Sequence, residues 1–255
     1  MSYLPPDLTL LALALALGIT LAAGIVKGAV GFAMPLIMIS GISSIMDPKL
    51  ALAGIIVPIV VSNLWQTLRA GLGPAWEAVV EFRRYLIIVS LAIFAAAQGV
   101  ALIPDQVFYA VLGIPVVVLC LIQLIGVRLS IPPHRRNLAE WIIGLISGLL
   151  GGFAGTWGPT TVLFLLAIDT PKKKQMVVQG VIYGLGSVVL LLAHLRSGIL
   201  NAGTAPLSIL LVLPAFIGMW IGFQIQDRLN ATAFRKVTLI VLTIAGLNLV
   251  RKAFM

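Results

Sequence analysis

The stretch Ala23-Gly-Ile-Val-Lys-Gly-Ala-Val-Gly-Phe-Ala-Met-Pro35 and its counterpart Ser147-Gly-Leu-Leu-Gly-Gly-Phe-Ala-Gly-Thr-Trp-Gly-Pro159 decide the fold of this chain. Gly24, Gly28, Gly31 and Pro35 each return 124 residues later, without a gap, as Gly148, Gly152, Gly155 and Pro159. Self-similarity at a fixed offset is the mark of an internal repeat. Farther on, Arg69-Ala70-Gly71 returns as Arg196-Ser197-Gly198, and Gln98-Gly99 lines up near Ile221-Gly222. The chain reads as two homologous halves, residues 1–130 and 131–255, joined near Arg128–Asn137.

Working outward from these runs, the surroundings are apolar. The 255 residues are 60% hydrophobic and 10% charged, against roughly 47% and 25% in globular proteins. Apolar segments fall at 8–26, 29–46, 50–68, 85–103, 107–127, 138–150, 153–168, 176–195, 205–225 and 237–250. Several approach the roughly 20 residues that a helix needs to cross about 30 Å of hydrocarbon. In lipid every backbone polar group needs an internal partner, and the Leu, Ala, Val and Gly content favours helices over alternating barrel strands. The fold class is an all-α polytopic membrane protein forming one integral membrane domain, which excludes soluble enzymes and nucleic-acid modules. The formal charge of +9 then reports loops on the cytoplasmic side and implies no nucleic acid. Leu8–Ala23 has the length of a signal peptide, but nothing basic precedes it and no clear small-x-small cleavage site ends in a polar mature segment, so it is expected to stay in the protein. The single cysteine, Cys120, allows no intramolecular disulfide and no cysteine-based metal cluster.

Charge distribution bears on how the halves are oriented. If each glycine-rich pair (8–26 with 29–46, 138–150 with 153–168) is a helical hairpin returning to its own side, about three transmembrane helices follow in each half and the second half is inverted. Arg69, Arg83, Arg84, Arg128, Arg135, Arg136, Lys172, Lys173, Lys174, Arg228, Arg235 and Lys236 then share one side, opposite Lys49, Arg196, Arg251 and Lys252, with Lys27 inside the hairpin. If each pair is one broken crossing, the halves are parallel and the charges split almost evenly. The positive-inside rule prefers the inverted arrangement.

A helix broken by glycine and restarted before proline frees backbone groups, and such backbone survives in hydrocarbon only against protein or a water-filled cavity. Broken helices at matching places in two halves point to a transport site. The restarted helix offers unpaired N–H groups and a positive dipole end, which suit an oxyanion. The other reading of the glycines is close packing in small-xxx-small patterns, the one preferred for Gly218 and Gly222. Lys27 stands apart from every loop cluster, and an intramembrane charge is a functional candidate; the competing reading is snorkelling to an interface. Asn63 and Gln66 lie three apart, and Gln179, Tyr183 and Ser187 successively four apart, so each set shares a helix face. For each of these polar residues, interhelical hydrogen bonding is an open alternative. The candidate substrate-binding set is Lys27, Gly31, Phe32, Asn63, Gln66, Gly155, Thr156, Trp157, Thr160, Thr161, Gln179 and Tyr183, with Trp65 or Trp157 closing the cavity.

Catalytic motifs are missing. There is no His-Glu-x-x-His, Gly-x-Ser-x-Gly or Walker A sequence, and the eight acids stand at or near segment ends. No catalytic residue, metal site or cofactor is expected. The expected partners are a small anionic substrate and the lipid bilayer, with a homodimer as an open option and no nucleic acid.

The paired glycine-rich openings, their spacing, and the ending from Ile217-Gly-Met-Trp-Ile-Gly-Phe-Gln through Asp227-Arg-Leu-Asn, Phe234-Arg-Lys and Ala245-Gly-Leu247 resemble the sulfite exporter TauE/SafE family of bacterial permeases. The likeness covers nearly the whole chain. At the openings, Lys27 and Phe32–Met34 stand where members of that family often have more glycine. The resemblance implies movement of sulfite, or of organosulfonates such as sulfoacetate, across the bacterial inner membrane. Export of a monoanion from a cell negative inside is downhill by about 2.3 kcal/mol per 100 mV, whereas uptake needs a co-ion. Two other readings stay open: a carrier of a different small anion (carboxylate, phosphonate), and a non-transporting membrane component or anchor of another complex.

Overall fold

The computed structural model describes residues 9–69, 71–127, 130–226 and 231–254; Asp7, Arg128, Asp227 and Arg228 lie outside this set. Within it the chain is helical throughout: α1 (Leu10–Val30), α2 (Met34–Ile42), α3 (Pro48–Arg69), α4 (Leu72–Glu81), α5 (Arg83–Gly99), α6 (Asp105–Leu124), α7 (Arg136–Ala154), α8 (Gly158–Ala167), α9 (Lys172–Ser197), α10 (Ala205–Leu210), α11 (Val212–Gln226) and α12 (Ala231–Ala253). Leu10–Ala29, Pro48–Arg69, Val177–Ser197 and Ala205–Ile225 are long and apolar enough to cross a membrane. The outer surface carries Leu11, Ile87, Leu91, Leu145, Leu192, Leu213 and Trp220 exposed, a degree of apolar exposure that water does not tolerate and lipid does. This is a polytopic membrane protein.

Glycine sets the closest helix contacts. Helices α1 and α11 run parallel with their backbones touching: Gly218 lies on Leu21 and Gly24, and Gly222 on Ile25 and Gly28. A Cβ added to Gly222 would come within 2.2 Å of the Ile25 carbonyl oxygen. Helix α7 meets α5 in the same parallel sense, with Gly144 on Ile88, Gly148 on Ala92 and Gly152 on Ile93 and Ala96. Without side chains in the way, dispersion contact and Cα–H···O approaches replace the hydrophobic drive that lipid removes. The packing reading of Gly218 and Gly222 thus holds, and it extends to Gly24, Gly28, Gly148 and Gly152.

Helices α3 and α9 cross antiparallel at the centre. Gly180 lies on Gln66 and Thr67, while Gly184 lies on Thr67 and nears the carbonyl of Asn63. The Thr67 hydroxyl is 2.9 Å from its own-helix acceptor, the Asn63 carbonyl, and 2.5 Å from the Gly180 carbonyl. Helices α6 and α12 pack on each other. Within α3, Pro58 has no N–H to give the Gly54 carbonyl. Ser208 of α10 repairs the gap, its Oγ donating to Gly54 O at 3.1 Å and accepting from the Val57 N–H at 3.0 Å.

One end of the bundle is held by ion pairs. Glu81 takes Lys174 at 2.5 Å and Arg136 at 3.5 Å, and Glu140 takes Arg136 at 3.1 Å and Arg84 at 3.9 Å. The starts of α5, α7 and α9 therefore lie together, with the end of α3 beside the start of α9. At the other end the Lys252 ammonium donates to the Ser43 carbonyl, joining the end of α12 to the end of α2.

Candidate functional site

The breaks fall at the last glycine of each run. Helix α1 continues through Lys27 to Val30 and stops on Gly31, whose φ of 84° is left-handed and whose N–H reaches Lys27 O at 2.7 Å. Helix α7 stops the same way on Gly155, φ 66°, with its N–H on Gly151 O at 2.6 Å. These are glycine C-caps. The expected hairpin turn at Lys27 is therefore displaced by about a turn of helix, because Gly28 is held in the helix by its contact with Gly222. Lys27 sits in the last turn of α1 rather than in the connection. Ala33, which caps the start of α2 without a side-chain hydrogen bond, has φ 83°, a conformation that costs a non-glycine residue roughly 1–3 kcal/mol and tends to mark functional places.

The two restarted helices meet. Phe32 packs on Gly158, and Pro35 lies near Gly155. Between them is a small cavity of about 20 Å³, room for about one water, lined by Lys27, Phe32, Ala33, Pro35, Leu36, Asn63, Gly155, Thr156, Trp157, Gly158 and Tyr183. Lys27 is 2% exposed and its ammonium donates to Oδ1 of Asn63. An ammonium has three donors. Its Nζ is 6.0 Å from the centre of the Tyr183 ring, and the Tyr183 hydroxyl donates to Gly158 O at 3.2 Å, tying α9 to the start of α8. Trp157 is wedged between Gly151 of α7 and Gly186 of α9. Thr156 reaches back to the Leu150 carbonyl at 3.3 Å. The cavity thus combines one buried cation with the N-terminal ends of α2 and α8, an arrangement that attracts negative charge. Snorkelling is not what Lys27 does.

Of the candidate residues, Lys27, Phe32, Asn63, Gly155, Thr156, Trp157 and Tyr183 line this cavity, and Gly31 makes its first break. Gln66 and Gln179 are buried one turn away. Thr160 and Thr161 point elsewhere: Tyr85 OH is 2.9 Å from Ser147 Oγ and 3.1 Å from Thr161 Oγ1, and Ser147 donates to Thr160 at 2.6 Å. This network joins α5, α7 and α8. Trp65 stacks on Phe216 at 4.2 Å and does not reach the cavity. Tyr85 and Ser147 carry no spacing signal in the sequence. His194 is buried, with Nε2 3.0 Å from the Gly152 carbonyl, which accepts, so that ring N–H holds α9 to the last turns of α7. A second crevice, lined mostly by apolar residues such as Val118, Leu119, Ile142, Ile143 and Ile146, with Thr160 and Arg135 also on its wall, suits lipid chains.

No curated protein and no solved structure matches this chain. Residues 16–249 match the family model described as sulfite exporter TauE/SafE.

Proposed function

This chain belongs to the sulfite exporter TauE/SafE family, and on that premise we propose that it is a secondary permease carrying small sulfur oxyanions, sulfite or organosulfonates such as sulfoacetate, outward across the bacterial inner membrane. The observation that carries this reading is the buried Lys27 ammonium in a cavity flanked by the starts of α2 and α8. A three-oxygen head takes several donors converging from different directions. Lys27, Asn63 and the backbone N–H groups at the two helix starts supply them, with Trp157 and Phe32 covering a short carbon tail.

The two halves are read as inverted repeats. The antiparallel crossing of α3 with its counterpart α9 supports the inversion, and the matching pairs α1 with α11 and α7 with α5 support the repeat. The positive-inside rule then makes the ion-paired end cytoplasmic, and the membrane potential drives a monoanion outward without any coupled ion.

The test is flux from liposomes holding the purified chain alone, offered sulfite, sulfate, C2 sulfonates, carboxylates and phosphonates. Sulfur oxyanions are expected to move best and to respond to an imposed potential. Selective flux of a cation or a neutral solute, without competition from any sulfur oxyanion, overturns the reading; no flux at all leaves a membrane anchor.

A further inference from the structure

Gln66 and Gln179 are 8% and 3% exposed, yet both side-chain atoms of Gln66 and Oε1 of Gln179 have no hydrogen-bond partner. A buried primary amide left unpaired forfeits hydration and gains nothing, so native proteins rarely keep one without a use. Here Gln66, wholly unpaired, and Gln179, with its carbonyl oxygen unpaired, stand on facing helices. Gln66 is one turn beyond Asn63 on α3, on the same face, and Gln179 is one turn before Tyr183 on α9. Because α3 and α9 run antiparallel, both steps lead away from the cavity in the same direction, toward Arg69 and Lys174.

In the opposite direction the neighbours are aliphatic. Ile59, one turn before Asn63, and Leu190, two turns beyond Tyr183, are fully buried. Both pack on Gly155, where an added Cβ would lie 2.7 Å from Ile59 Cδ1 and 3.3 Å from Leu190 Cδ2. The cavity therefore has a polar continuation on one side and an aliphatic plug on the other.

We propose that Gln66 and Gln179 form a second polar station on the translocation path, where the anion is held between the Lys27 cavity and the basic end of the bundle, while Ile59 and Leu190 form the gate on the other side. An amide suits this duty because its NH₂ donates to an anion without the charge that would trap it. The two unpaired carbonyl oxygens turn to the water that accompanies the anion. The inference rests on the anion-permease reading.

The experiment uses the full chain with Cys120→Ala as background. In inside-out membrane vesicles, Gln66→Cys and Gln179→Cys are expected to react with the anionic thiol reagent sulfonatoethyl methanethiosulfonate and to be protected by sulfoacetate, whereas Ile59→Cys and Leu190→Cys stay inert. In liposomes, Gln66→Leu and Gln179→Leu are expected to lower sulfite flux by about 10- to 100-fold, the worth of a lost hydrogen bond to a charged group, while the melting temperature holds or rises because an unpaired amide has gone. Inert Gln66→Cys and Gln179→Cys, or unchanged flux in both leucine variants, overturns the station. Unchanged flux in Lys27→Met overturns the permease site beneath it. A leucine variant that fails to fold leaves the decision to the labelling pattern.

Discussion

The Lys27 ammonium of α1 donates to Oδ1 of Asn63 of α3, so the one cation lining the cavity among the described residues is held by a neutral amide and not by a carboxylate. A carboxylate partner would cancel its charge. An amide fixes its position and leaves its field directed at the cavity. Lys27→Met keeps the side-chain length and removes the charge, and it is expected to weaken sulfite binding by about 10- to 100-fold or more. Asn63, left without its donor, lowers stability by roughly 1–3 kcal/mol. Equilibrium binding and thermal unfolding in detergent measure the two effects separately.

Gly222→Ala is expected to prevent assembly, since its Cβ would meet Ile25 O at 2.2 Å and the Gly28 Cα at 2.8 Å. Gly18 lies on α1 with open space around it, and Gly18→Ala is expected to be neutral or to stabilise by up to about 1 kcal/mol, the helix propensity difference. Yield of monodisperse protein and its melting temperature distinguish the two.

Ser208→Ala removes the hydroxyl that serves Gly54 O and the Val57 N–H beside Pro58. A loss of roughly 1–3 kcal/mol is expected from the stranded backbone groups. In the background of Pro58→Ala, where residue 58 regains its N–H, the same serine change should cost clearly less, and a double-mutant cycle reads the difference.

Tyr85→Phe breaks the network with Ser147 and Thr161 at a cost of about 1 kcal/mol. Sulfite affinity is expected to stay within twofold, about 0.4 kcal/mol, because none of the three lines the cavity. A large loss of affinity with unchanged stability would return Thr161 to the anion site.

Lys174→Cys and Arg135→Cys are expected to react with an impermeant thiol reagent from the cytoplasmic side, and Lys49→Cys and Asn201→Cys from the other. Reaction of positions 174 and 135 from opposite sides would contradict the inverted arrangement.

Much of this was legible in the residues. The 124-residue recurrence of Gly31 and Pro35 as Gly155 and Pro159 marked both breaks, because a left-handed cap and a proline-started helix have local sequence requirements. Which glycine breaks the helix was not legible. Gly28 and Gly31 look alike in sequence, and only the arrival of Gly222, far along the chain, keeps Gly28 helical. Lys27 and Asn63 were identified by polarity in apolar segments, whereas Thr160 and Thr161 were drawn to Tyr85 and Ser147, partners that tertiary packing alone supplies. Helix α4, short and with Trp76 exposed, carried no apolar run long enough to register.

The Gly24–Gly28 face of α1 fits against Gly218 and Gly222 of α11, and that fit has a consequence for biosynthesis. The first half enters the bilayer with its glycine face bare, and its partner follows nearly two hundred residues later. At roughly 5–20 residues per second of synthesis, the wait is about 10–40 s. Helix α5 likewise waits for α7, so neither half can complete its own interior. A truncated first half should therefore behave as a client of membrane quality control, and co-expression of residues 131–255 as a separate chain should rescue it from proteolysis.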